Sequence, residues 1–206
     1  RLGADGAVEL YADRAVESVV EVLQEATANL PQTPAAVAVS TFWHSLVAVD
    51  RQGRALTGVT LWADRRAARQ SNILRERLDV AEVTKRTGCP IHPSYPLARL
   101  LWLQQAQPGV FDKSQLFLAF GDYLWLRLFG EAVTSPSIAS GSGLYRVAEG
   151  RWDPELAALV GVDLGRLPAV LREPLWHGRL QPPFRERLSR LADVPWLLPV
   201  GDGAAD

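Results

Sequence analysis

Short apolar runs, too brief for helices, alternate along this chain with longer stretches of helical periodicity, and that alternation confines the fold to the α/β class. Residues 12–30 repeat apolar side chains at Ala15, Val16, Val19, Val22, Leu23, Ala26 and Leu30, the spacing of an amphipathic helix, and Pro31 ends it. Residues 35–40 read as a buried strand. Residues 45–49 and 57–61, with Arg51-Gln52-Gly53 between them, predict a β-hairpin turning at Gly53. Asp64 stands where a strand hands over to a second helix reaching residue 78, and a carboxylate there is suited to cap it.

Residues 80–87 read as another short helix, and 88–95 as a loop kept irregular by Gly88, Pro90 and Pro93. Helical periodicity returns over 97–107 through Leu100, Leu101 and Leu103 until Pro108-Gly109 breaks it. Residues 116–120 read as a further buried strand. Gly121-Asp122-Tyr123 then opens an apolar helix to Phe129, with Gly130 as its C-cap. Two or three short helices punctuated by proline fill 152–192 before a last strand over 194–200. No repeat or flexible linker divides the 206 residues, and 48% hydrophobic content is enough to bury a core, so the reading is one α/β domain.

A formal net charge of -1 argues against a partner recruited by bulk electrostatics, so neither nucleic acid nor an anionic membrane face is expected. The single cysteine, Cys89, has no partner for an internal disulfide, which fits a reducing compartment. No apolar run approaches the ~18 residues of a membrane span, and no secretory leader is visible, so the expected location is the cytoplasm. The chain contains no methionine, which places the native start upstream of Arg1.

In open α/β sheets, ligands gather at strand ends, and three polar clusters sit there. The first, Ser40-Thr41-Phe42-Trp43-His44-Ser45, offers an imidazole and an indole to a polar small molecule; equally, His44 suits a buried hydrogen-bonded histidine. The second, Leu61-Trp62-Ala63-Asp64-Arg65-Arg66, reads as a site or as a helix cap with arginines that are solvated or paired to it. The third is Asp202 between Gly201 and Gly203, after the apolar run that starts at Val194: a reacting acid that a ligand can approach closely, or an acidic tail. Cys89 and His92 have a metal-like separation, but only His44 and His177 remain to complete a site, so no metal is assigned to this chain. Ser140-Gly141-Ser142-Gly143 lacks the lysine of a phosphate loop and reads as a turn.

Six segments in order carry a resemblance. They are 44–50 (His44 to Asp50), 61–67 with its Trp62-Ala63-Asp64-Arg65-Arg66, 87–95 from Thr87-Gly88 to Tyr95, Phe120-Gly121-Asp122-Tyr123-Leu124, 137–144, and Pro195-Trp196 followed by Gly201-Asp202-Gly203-Ala204-Ala205. Their order resembles the N-terminal lobe of the FGGY carbohydrate kinases, most of all the gluconokinase-type members. The resemblance implies an actin-like, ribonuclease-H-like lobe, a mixed sheet with flanking helices, in which a sugar or polyol lies in a cleft between two lobes. ATP and Mg2+ would approach from the far lobe.

By that resemblance Asp202 matches the catalytic aspartate, a general base for the sugar hydroxyl. His44 matches a histidine at the sugar site, with Phe42-Trp43 standing where xylulokinase-like relatives have Gln-Met. Trp62, Asp64 and Arg66 match a Trp-x-Asp-x-Arg signature lining the cleft, and Tyr95 falls in a loop near the sugar. Arg99 stands where many members have lysine and receives no catalytic role. The resemblance further implies that residues 1–206 are a partial sugar-binding domain of a two-domain kinase. Its first β-hairpin would lie upstream of Arg1 and its ATP-binding lobe downstream of Asp206, and the fragment would be inactive alone. The expected reaction is ATP-dependent phosphorylation of a sugar or sugar acid, gluconate favoured; the alternative is a non-catalytic sugar-binding or regulatory protein of the same fold. A homodimer is compatible with the sequence, which marks no partner face.

Overall fold

The run Leu46 to Val49 is apolar at every position, and a strand of that kind needs cover on both faces. In the computed structural model, which describes residues 3, 6–176 and 178–205, it has that cover. Successive side chains of a strand point to opposite faces. Leu46 and Ala48 enter one apolar core, with Leu74, Leu97, Leu100 and Leu103, while Val47 and Val49 enter another, with Val16, Val20, Tyr123, Leu124 and Leu128. The fold is therefore a sheet between two helical layers. Helices Ala12–Ala28 and Phe120–Phe129 cover one face, and Ala68–Arg77 and Pro96–Ala106 the other.

Strand Val47–Val49 pairs antiparallel with Leu116–Leu118 in the register Val47 to Leu118. On its other side the expected hairpin forms: Asp50 N donates to Arg54 O at 2.9 Å, and Gly53 turns the chain at a φ of 77°. Its ladder is interrupted, because Ala48 N donates to the Thr57 hydroxyl at 3.0 Å rather than to a carbonyl. Val59–Thr60 then pairs antiparallel with Glu9–Leu10.

A second pairing positions the site. Ser40–Thr41 runs parallel to Val200–Gly201, and a bridge from Val37 to Trp196 extends the contact. Residues 35–40 are thus only half-buried, where the sequence suggested a buried strand: Val37 is buried, while Ala36, Ala38 and Ser40 are exposed. Alanine on the outer face carries no polar mark to reveal the alternation.

Two further expectations change. Helix Pro96–Ala106 stops just before Pro108 as expected, but Pro108 also opens a further helix, Pro108–Lys113, at a position where the missing N–H costs nothing. Asp64 does not cap the next helix, which starts only at Ala68 and has no side-chain cap. The helix over Val80–Thr87 and the left-handed Gly130 that closes Phe120–Phe129 are as the sequence indicates, and Gly88, read as part of a loop, closes its helix in the same left-handed way.

Candidate active site

Because Ser40–Thr41 and Val200–Gly201 are parallel, both strands end on the same side, and the segments that leave them meet. Trp43 N donates to Asp202 Oδ1 at 3.2 Å, and Gly203 N donates to the same oxygen at 3.0 Å. Two main-chain amides thus orient the carboxylate through one oxygen. Oδ2 takes no hydrogen bond among the described residues, and the Asp202 side chain is exposed. Phe42, Trp43, His44, Trp62, Asp202 and Gly203 line an open hollow of about 370 Å³.

His44 Nδ1 lies 2.8 Å from Gly141 O. A carbonyl only accepts, so Nδ1 carries the proton and Nε2 is left as an acceptor. Burial holds the imidazole pKa below its ordinary value, outweighing the Gly141 carbonyl and Asp202, which raise it; nearby Arg99 adds to the lowering. His44 therefore stands neutral at neutral pH. The Tyr95 ring packs edge-on against it, with centroids 4.2 Å apart, and supports the imidazole rather than lining the hollow. Trp62 is 74% exposed, and its carbonyl accepts from Ser94 Oγ at 2.6 Å.

Arg99, left without a role by the sequence, fastens both aromatic segments. It is 1% exposed. Its Nη1 donates to His44 O at 2.6 Å and to Thr60 Oγ1 at 3.0 Å, and Nη2 donates to Leu61 O. One buried guanidinium thereby holds the main chain of His44 and the residue before Trp62. Burial lowers its pKa to about 10, so it remains a cation at neutral pH. The signal in the sequence was a charge inside the apolar run of helix Pro96–Ala106, flanked by Leu97, Leu100 and Leu101.

Asp64 and Arg66, expected in the cleft, are not brought to the hollow. Asp64 is 2% exposed and accepts from Val8 N at 3.0 Å, from Arg66 N at 3.1 Å, and from the Arg66 guanidinium at 2.7 Å. Arg66 also pairs with Glu9, and its guanidinium lies 4.4 Å over the Trp102 ring. Together these residues tie the first strand to the turn before helix Ala68–Arg77. Arg66, Glu9, Thr57 and Trp102 border a separate cavity of about 360 Å³.

Other candidates are committed internally. Cys89 is buried and its thiol donates to Ser140 O at 2.9 Å, while Ser142 Oγ donates to Ala139 O at 2.6 Å. His177 lies outside the described residues, among which no group of three His, Cys, Asp or Glu side chains could hold a metal. No described helix is long and apolar enough to cross a membrane. The hollow's lining contains one carboxylate and no lysine or arginine. That set does not fit a nucleoside triphosphate or an octahedral Mg2+, which need several cationic donors or oxygen ligands, so no step through either follows from these side chains.

The sequence profile of the FGGY family of carbohydrate kinases, N-terminal domain, matches residues 3–205. A gluconokinase of Bacillus licheniformis is 25% identical over 188 residues, covering 91% of this chain and 36% of the relative. A crystal structure of gluconate kinase from Lactobacillus acidophilus superposes with a TM-score of 0.92 at 25% identity, covering 99% of this chain and 41% of that one. A ligand-bound xylulose kinase from Lactobacillus acidophilus gives 0.91 at the same 25% identity, also over 99% and 41%. This chain spans about a third of the length of the curated gluconokinase, 36% of it. The fold is the actin-like α/β lobe of these kinases, and the chain belongs to the FGGY family of carbohydrate kinases, matching its N-terminal domain.

Proposed function

We propose that this chain is the sugar-binding lobe of an ATP-dependent carbohydrate kinase, with Asp202 as the general base. The observation that carries the reading is the parallel pairing of Ser40–Thr41 with Val200–Gly201, which sets Asp202 and His44 on one hollow. A sugar hydroxyl donates to Asp202 Oδ2 and passes its proton there as its oxygen becomes a nucleophile. The amides of Trp43 and Gly203 on Oδ1 keep the carboxylate from turning away. Neutral His44 accepts from a second hydroxyl through Nε2, and the exposed Trp62 indole offers an apolar face to the sugar's C–H groups. Tyr95 and Arg99 hold these groups from behind, and Asp64 with Arg66 anchors the neighbouring turn. ATP with Mg2+ supplies the phosphoryl group and is held by residues other than those lining the hollow.

Gluconate is the favoured substrate, because a gluconokinase and a gluconate kinase are among the relatives. Its carboxylate has to meet a cation outside the hollow, whose lining has none. Phosphoryl transfer rests on positioning and charge stabilisation around the phosphates, so the 206-residue chain by itself is expected to show no turnover. The test is a coupled ADP-release assay on the full-length protein and on this chain, with gluconate, xylulose, ribulose and glycerol. The reading expects turnover by the full-length protein only, fastest with gluconate. Turnover by neither protein on any of these sugars contradicts it.

A further inference from the structure

Three glycines from two separate segments close on one indole. A Cβ added to Gly141 would overlap Trp43 Cδ1 and Nε1, one on Gly201 would stand 2.5 Å from Trp43 Cγ, and one on Gly203 2.9 Å from Cε3. Real Cβ atoms do not approach so closely. A rigid bicyclic ring with only two side-chain torsions has no flexible end that yields. At these positions the absence of a side chain is what admits the ring.

The indole is held by polar bonds too. Its N–H donates to Ser137 O at 2.8 Å, so the one hydrogen-bonding group Trp43 has for a sugar is already used. Ser137 Oγ accepts from Gly201 N at 3.1 Å, and Ser135 Oγ donates to Pro199 O at 2.5 Å. Gly141 O, for its part, holds the His44 imidazole. Residues 135–141 thus clasp both the segment bearing His44 and the strand end bearing Asp202, and the Trp43 ring fills the space between them.

We propose that Trp43 is a positioning residue for Asp202: its indole, seated in the slot of Gly141, Gly201 and Gly203, fixes the spacing that keeps the residue-43 amide on the Asp202 carboxylate. The catalytic consequence rests on the reading of Asp202 as the base, whereas the geometric part does not. Displacing a reacting group by about 1 Å costs on the order of 100-fold in rate.

The experiment uses the full-length protein with Gly141→Ala, Trp43→Met and the double variant. Gly141→Ala forces the ring out and is expected to lower kcat about 100-fold while KM stays within about threefold. Trp43→Met removes the ring and is expected to lower kcat by a similar factor. In the Trp43→Met background a Cβ at 141 meets only a flexible chain, so the double variant equals Trp43→Met, with no further loss. Equal losses from Gly141→Ala in both backgrounds, or an unchanged kcat in Trp43→Met, overturn the proposal.

Hydrogen exchange at the residue-43 amide gives a readout free of turnover. Protection present in the wild type is lost in Gly141→Ala and in Asp202→Ala. If protection persists in Gly141→Ala, the proposal fails even where activity falls. If the wild type shows no kinase activity but the exchange pattern holds, the positioning stands and the kinase reading alone fails. Should Gly141→Ala not fold, exchange and kcat in Trp43→Met, which introduces no overlap, decide in the same way.

Discussion

Two aspartates, Asp64 and Asp202, stand in matching circumstances in the sequence, each in a short polar cluster just after an apolar run, yet the fold treats them oppositely. Asp64 is 2% exposed and receives two main-chain amides, from Val8 and Arg66, together with the Arg66 guanidinium. Asp202 is exposed and receives two amides on Oδ1 alone. The first carboxylate has its capacity filled by the protein and serves as a fastener. The second keeps an oxygen in reserve beside an imidazole and two indoles, as the proposed acceptance of a proton from a ligand requires. Unfilled hydrogen-bonding capacity at an oriented group separates the chemical site from the structural one.

The largest expected effect follows from removing the reserve oxygen. Asp202→Asn in the full-length protein lowers kcat/KM by about 10²–10⁴-fold while leaving the thermal midpoint in place, since an exposed carboxylate contributes little to packing. A coupled assay beside calorimetry reads both. Asp64→Ala shows the reverse pattern. Stripping Asp64 from this buried cluster leaves Arg66 with Glu9 alone and the Val8 amide without its acceptor, and costs about 3–5 kcal/mol, measured by denaturant unfolding, while the activity of the molecules that stay folded is retained. If Asp64→Ala abolished activity at unchanged stability, the contrast between the two aspartates would be wrong.

Asp122 sharpens the contrast with an intermediate case. It is 2% exposed; its Oδ2 accepts from Ala119 N at 3.1 Å, and no cation pairs with it among the described residues. Burial pushes its carboxyl from 3.8 up to about 7, against the Thr134 hydroxyl and the Ala119 amide, which lower it. The folded state therefore binds this proton more tightly than the unfolded chain. Its contribution to stability is complete below pH 3.8 and disappears as pH rises to about 7. Asp122→Asn, which cannot ionise, should lack this loss, so the difference in thermal midpoint between variant and wild type should grow steadily over that interval. A constant difference across it would mean that Asp122 is ionised in the fold throughout.

What could be read from the sequence was local. The run from Leu46 to Val49, the turn at Gly53 and the glycine-closed helix Phe120–Phe129 each declare themselves within a dozen residues, because periodicity and turn chemistry act at that range. The helix Pro108–Lys113 was missed because the same residue that stops one helix suits the first turn of the next. The partners that fix the two aspartates are distant. Asp64 is fixed by Val8, 56 residues earlier, and Asp202 by Trp43, 159 residues earlier. No periodicity carries such pairings, so the family resemblance put Asp64 and Arg66 in one cleft with Asp202, whereas in the fold Arg66 borders a separate cavity and Asp64 is buried outside both. Arg99 escaped for a related reason: the partners through which it holds residues 44 and 61 are carbonyls, which no residue type announces.

The most direct measurement is a crystal structure of the full-length protein soaked with whichever sugar it turns over fastest. The account predicts the sugar among Trp43, His44 and Trp62, with one hydroxyl oxygen about 2.6–3.2 Å from Asp202 Oδ2. A sugar seated instead against Arg66 and Trp102, or one whose hydroxyls all lie beyond the reach of Asp202 even through one water, would contradict it.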